Sequence, residues 1–242
     1  MALYTIADLH LSLRNADKSM EAFGPRWQDY TARLQKNWTA LVTPEDTVVL
    51  PGDISWSSSI EDAVQDFAFL DALPGRKLIG KGNHDFWWTS VTKMEQFFTR
   101  NGFSTLRILH NNAFRLSDCI VCGTRGWFLE EKQQVVTQEV DFEKIRNREL
   151  GRLKLSLDAA VALQDPNGPL PILVFLHFPP VWGGFRCQEF LDLMEAYGVR
   201  QCFFGHIHGV APTACAPQTD GDLTLRLIAS DALGFTPRRV FP

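Results

Sequence analysis

The segment CFFGHIHGVAP places His206 and His208 one residue apart, between Gly205 and Gly209. In an extended segment, residues i and i+2 point the same way, so the two imidazoles would share a face, and the glycines would let the backbone approach closely. That is ligand chemistry for a metal; a polar turn after a strand is the plainer reading of the same residues. Four further groups precede it: Asp8-Leu9-His10, Gly52-Asp53, Gly82-Asn83-His84-Asp85, and His177 at the end of PILVFLH. Asp8, His10, Asp53, Asn83, His177, His206 and His208 offer nitrogen and oxygen donors and no thiolate, a set suited to Mn, Fe, Zn or Ni. These seven residues with one bridging carboxylate make a pair of four-ligand sites. Two aspartates only partly neutralise two divalent ions, and the remaining positive charge would attract an anion such as phosphate.

Strands must present these residues, and the chain alternates strand-like and helix-like patterns, which indicates an α/β fold. LYTIA, TVVLP, RKLIGKG, PILVFLH and RQCFFG read as strands, and each ends at one of the polar groups. Ligands in open α/β sheets bind beyond the carboxyl ends of strands. Five of the six histidines lie at such ends, His110 being the exception. Helices are expected over residues 27–42, from about residue 59 to Pro74-Gly75 behind a Ser58–Glu61 capping box, over Val91–Arg100, over 142–163 and over 187–197. In the fourth of these, Leu150, Leu153, Leu157 and Val161 would line one side. Short strands are expected at 106–109, 113–116 and 119–123, with GVAPTAC and LTLRLIA as closing strands.

The 242 residues suit a single domain, 1–242, with a sizeable core. A net charge of −4 gives no global basic surface for nucleic acid. No apolar run approaches the ~18 residues of a membrane span, and the N-terminus lacks the pattern of a signal peptide. The five cysteines are odd in number and irregularly spaced, which argues against a disulfide framework. Cys119 and Cys122 sit three apart in a strand-like run, so they would face opposite ways rather than chelate together. All five read as reduced packing residues of a cytoplasmic protein.

With D-x-H, G-D, G-N-H-D, a lone His after an apolar strand and G-H-x-H in register from Asp8 to His208, the chain resembles the calcineurin-like metallophosphoesterases. GDISW, HDFWW and GTRGW resemble, within them, uncharacterised bacterial phosphohydrolases. The resemblance implies a four-layer αββα sandwich of two mixed β-sheets flanked by helices. It implies two divalent metal ions: Asp8, His10 and His208 on the first, Asn83, His177 and His206 on the second, Asp53 bridging. It implies hydrolysis of a phosphate monoester or diester by attack of a metal-bridging hydroxide. Asp53, Asn83 and His84 then form the catalytic set, with His84 facing the substrate as acid or phosphoryl stabiliser. Many members carry a second Asp, G-D-x-x-D, that orients this His; here Trp56 stands in its place. The alternative is a catalytically inactive metal-binding scaffold for protein partners, which the presence of His84 and all seven ligand positions disfavours.

Arg125 and Arg186 lie in glycine-rich loops and are candidates for clamping a phosphate. Trp56, Trp87, Trp88, Trp127 and Trp182 cluster near the motifs. They would stack on a substrate ring or, more simply, pack the loops beneath the site, and Trp56 is the candidate for substrate contact. Lys81 reads as structural and His110 as a turn residue. The long connection over residues 11–28 suits a specificity loop.

Overall fold

The computed structural model describes residues 1–128 and 142–241. In chain order the elements are β1 (Leu3–Thr5), α1 (Tyr30–Leu41), β2 (Thr47–Leu50), α2 (Val64–Ala72), β3 (Arg76–Ile79), α3 (Val91–Arg100), β4 (Leu106–Ile108), β5 (Ala113–Arg115) and β6 (Ile120–Thr124). There follow α4 (Phe142–Ala162), β7 (Ile172–Leu176), the β8–β9 hairpin (Val181–Trp182, Phe185–Arg186), α5 (Gln188–Ala196), β10 (Gln201–Phe204), β11 (Gln218–Asp220), β12 (Leu223–Leu227) and β13 (Arg238–Val240). One sheet runs β13-β1-β2-β3-β4 and the other β11-β12-β10-β7-β6-β5.

Alternation along the strands divides the apolar side chains among three layers. Tyr4, Val48, Leu50 and Ile79 face α1, α2 and α3 through Leu34, Trp38, Phe67, Leu70, Met94 and Phe98. Leu3, Val49, Leu78, Val121, Leu173, Phe175 and Phe203 fill the space between the sheets. Ile120, Cys122, Val174, Cys202 and Phe204 face α4 and α5 through Leu153, Leu157, Phe190 and Met194. Three cores between four layers make the expected αββα sandwich. Cys119 lies in the inter-sheet core and Cys122 in the outer one, so the two thiols do face opposite ways.

The strands bearing the polar groups are parallel: β1, β2 and β3 in one sheet, β7 and β10 in the other. Their carboxyl ends therefore share one edge. There the sheets are joined, because Ala7 N–H donates to Ile228 O at 2.9 Å and Ser230 N–H to Ala7 O at 3.0 Å.

Several boundaries move for local reasons. Helix α1 begins at Tyr30 rather than residue 27, because Asp29 takes a left-handed φ of 51° that an α-helix does not admit. Helix α2 begins at Val64: Ser59, not Ser58, closes a turn by accepting from Asp62 N–H at 3.2 Å, and a Ser58–Glu61 capping box is not formed. On α4, Ala160 is buried and Val161 is half exposed, because burial follows 153, 157 and 160. GVAPTAC is no strand; Pro212–Cys215 is a 3-10 turn, since Pro212 has no N–H to give a ladder. Strands β11 and β13, of three residues each, are too short to leave a periodic signal.

All five cysteines are free and buried. Burial pushes the Cys119 and Cys122 thiols up to about 12 and Cys187 up to about 11. Native protein should therefore give no reaction with a disulfide reagent at neutral pH, and all five thiols should react in guanidinium. Rapid native labelling of one or more thiols would show that the layers are not packed as described.

Candidate metal centre

Strand ends bring the sequence-predicted ligands together. Asp8, His10 and His208 offer ligand atoms within 4.8 Å of one another, as do Asp8, Asp53 and His177. His10 Nε2 and His208 Nε2 lie 3.1 Å apart. Asn83 Oδ1 lies 2.6 Å from His177 Nε2 and 3.0 Å from His206 Nδ1. Asp53 Oδ2 stands between the two sets, 3.6 Å from His10 Nε2 and 3.5 Å from His177 Nε2. Asp8, His10, Asp53 and His177 are almost wholly buried, and His206 and His208 less so.

The backbone is bent to make this possible. Asp8, His10, Asp53 and His206 all have left-handed φ, of 62°, 46°, 52° and 70°. Such conformations are rare outside glycine and are held by the surrounding structure. His206 is thus not in an extended segment, and His206 and His208 do not share a face: the first turns to Asn83, the second to His10. Ile207 between them packs partly against the outer core. Two glycines make room for the carboxylates. A Cβ on Gly82 would lie 2.0 Å from Asp53 Oδ1, and one on Gly205 would lie 2.5 Å from Asp8 Oδ2.

Asp85 holds the loops in register. Its carboxylate accepts from the N–H groups of Gly82 (2.7 Å), Asp53 (2.8 Å) and Ile54 (2.8 Å) and from Trp87 Nε1 (2.9 Å). It is occupied with backbone and does not partner His84. Instead Trp56 packs on His84 with ring centres 4.4 Å apart and stacks on His10 at 4.8 Å. The His84 N–H donates to Asp53 Oδ1 at 2.8 Å.

Asp231 was not anticipated. Its Oδ1 lies 3.1 Å from His208 Nδ1, and its Oδ2 accepts from Gly209 N–H at 2.9 Å and from Arg26 Nη1 at 3.2 Å. A carboxylate there accepts a hydrogen bond from Nδ1–H, which fixes the ring and turns His208 Nε2 toward His10. The signal was available, since Asp231 follows β12 as Asp8 follows β1. Trp27 was also missed; its ring lies 5.6 Å from His208 and 6.1 Å from His10.

The electrostatics describe a hole for positive charge. Burial pushes Asp8 up to about 7, with Asp231 and Asp85 adding and His208 opposing. Burial, then Asp85 and Asp8, hold Asp53 well above the usual carboxylate range. Burial and the neighbouring imidazoles keep His10 and His177 well below theirs, so both rings are neutral near pH 7. His10 Nδ1, Asp53 Oδ2 and His177 Nδ1 are buried with no hydrogen-bond partner. Burial opposes protonation of His208, but the Asp231 hydrogen bond and the Asp8 charge raise it above its ordinary value. Two desolvated carboxylates beside neutral His10 and His177 fit divalent cations.

Of the other singled-out residues, Arg125 donates to the buried Glu149 at 3.0 Å. Arg186 lies on the surface, bound by Asp220 and by Gln188 Oε1 at 2.8 Å. Trp87 packs on Phe67, and Trp182 on Phe204. These rings pack beneath loops.

A family model described as calcineurin-like phosphoesterase matches residues 1–210. Gene 66 protein of Mycobacterium phage L5 is 38% identical over 58 residues, 24% of this chain and 28% of that protein. The phosphopantetheinyl hydrolase PptH from Mycobacterium tuberculosis superposes with a TM-score of 0.58 at 12% identity, over 100% of this chain and 96% of that one. TT1561 of Thermus thermophilus gives 0.57 at 12% identity, over 98% and 97%. At these identities the two structures share the fold.

Cation binding needs Asp8 and Asp53 ionised, so uptake must release protons. With Asp8 at about 7 and Asp53 also held well above the usual carboxylate range, the apparent Mn²⁺ affinity should rise with pH by at least about tenfold per unit below neutrality. Calorimetry in buffers of different ionisation heat checks this, and an affinity independent of pH across that range would contradict the charge balance described.

Proposed function

The chain belongs to the calcineurin-like phosphoesterases, and from that premise we propose that it is a dinuclear metal-dependent phosphohydrolase acting on phosphate monoesters or diesters. One observation carries the reading: Asp53 Oδ2 lies between His10 and His177, one residue of each ligand set. Asp8, His10 and His208 would hold one ion, Asn83, His177 and His206 the other, with Asp53 common to both. When bound, the ions supply Lewis-acid charge for the phosphoryl oxygens and acidify water.

The chain's own groups do the rest. Asp85 and the His84 N–H fix Asp53, and Asp231 fixes His208. Trp56 seals one side and holds the His84 ring by packing, where the family pattern uses a carboxylate. No carboxylate among the described residues bonds the His84 ring, and burial and His208 hold it below its ordinary value. The ring is therefore neutral near pH 7, and its role is N–H donation to an oxygen of the transferring phosphoryl group. Asn83 is its immediate neighbour, so ligand and donor are placed by one turn.

Metal-depleted protein refilled with Mn²⁺, Zn²⁺ or Ni²⁺ should turn over p-nitrophenyl phosphate or bis(p-nitrophenyl) phosphate. No turnover with any ion, with two ions bound, would contradict the proposal. His84→Ala should retain its metal and lose on the order of 10²-fold in kcat. The loss should be similar for p-nitrophenyl and phenyl esters. A loss confined to the phenyl ester, the poorer leaving group, would assign proton transfer to His84 instead.

A further inference from the structure

Beside the Asn83–His177–His206 end of the centre lies a concentration of positive charge that the reaction described does not use. Arg125 begins the loop after β6, and its carbonyl accepts from the N–H groups of His177 (3.1 Å) and Phe178 (2.8 Å). Its guanidinium lies 5.8 Å from the centre of the Phe178 ring, whose other neighbours are His206 at 4.6 Å and His177 at 5.1 Å. Lys81 comes from the loop after β3, two residues before Asn83, with its ammonium 5.9 Å from the Trp88 ring. Trp88 in turn meets His110 at 5.3 Å. Arg152, from α4, completes the group.

Three cations here, with the more exposed Arg148 at 3.5 Å from Glu149 Oε1, face one buried carboxylate. Glu149 Oε1 takes Arg125 at 3.0 Å and Arg152 at 2.6 Å. Lys81 has no hydrogen bond or ion pair to any described residue. Arg125 Nε is buried and without a partner, as is His110 Nδ1. Burial first, then the charges of Arg152, Lys81 and Arg125, hold His110 down to about 4. At neutral pH that ring adds no charge but offers a neutral polar edge to the same space. Half-buried cations with a buried, unpartnered N–H favour an anion beside them, against the single carboxylate of Glu149, whose Oε2 is likewise buried and unpartnered.

We propose that Lys81, Arg125 and Arg152 form a second phosphate subsite, and that the substrate is a phosphate ester carrying another phosphate group a few bonds from the one hydrolysed. The inference rests on the phosphohydrolase reading for which phosphate reacts; the subsite itself rests on the cluster. The reacting phosphoryl would lie over the ions, and the second would reach past Phe178 and Asn83 to the cations. Tethering the two makes the second contact intramolecular, so it strengthens binding of the whole molecule.

Phosphonates, which are not hydrolysed, test this on the metal-loaded full chain by calorimetry. Propane-1,3-bisphosphonate should bind at least about tenfold more tightly than propylphosphonate, beyond the statistical factor of about two. In Lys81→Gln and Arg152→Gln that ratio should fall toward the statistical factor, with metal content by mass spectrometry as in wild type. Arg152→Gln leaves Arg125 on Glu149, so the buried carboxylate keeps a partner. A wild-type ratio near the statistical factor, or a large ratio untouched by both substitutions, would overturn the subsite. Turnover of p-nitrophenyl phosphate by the same sample is a separate readout: its absence beside a large ratio would overturn the hydrolase reading and leave the subsite standing.

Discussion

Asp8 and Asp53 are buried carboxylates that lean toward the same set of imidazoles, and much of the molecule is arranged around that fact. Desolvating two such groups side by side is costly unless a cation joins them. The fold meets the cost of assembling them with backbone rather than with side-chain contacts. Parallel strands aim Asp8, Asp53, Asn83, His177 and His206 at one edge. Left-handed φ values turn four of the ligands inward, and Gly82 and Gly205 leave the space that the carboxylates occupy. Asp85 ties two of the loops together through their N–H groups. Each device would be a liability in a protein with nothing to bind there.

How much of this was legible depended on whether the signal was local. Continuous apolar runs ending in polar residues marked β1, β2, β3, β7 and β10, and with them every expected ligand. Helix α3 lies where it was expected, near Val91 to Arg100, because Asn101-Gly102 marks its end; the structure adds Ser90 as its N-cap. The turn at Asp29 was not readable, since nothing in its neighbours demands a positive φ. Nor was the conformation of His206: alternation of side chains holds in a strand, and β10 stops at Phe204. Asp231 escaped notice because its importance lies in a contact with His208, 23 residues earlier. The strand-end rule that found Asp8 applies to it equally.

Trp56 shows how one substitution in a motif alters the chemistry available. An aromatic ring holds His84 in place as a carboxylate would, yet it stabilises an imidazolium less than a full negative charge does. Lys81, Arg125 and Arg152 add positive charge near the Asn83 end of the centre, while beside Trp56 the Lys18 ammonium lies 3.4 Å from the Trp56 carbonyl.

The central claim is a pair of cations joined through Asp53. Electron paramagnetic resonance of the Mn²⁺-loaded protein tests it most directly, because two Mn²⁺ ions sharing a carboxylate couple magnetically. The account predicts the multiline spectrum of an exchange-coupled pair, replaced in Asp53→Asn by uncoupled ions or by none. A simple six-line spectrum of isolated ions in the wild type, at full metal loading, would contradict it.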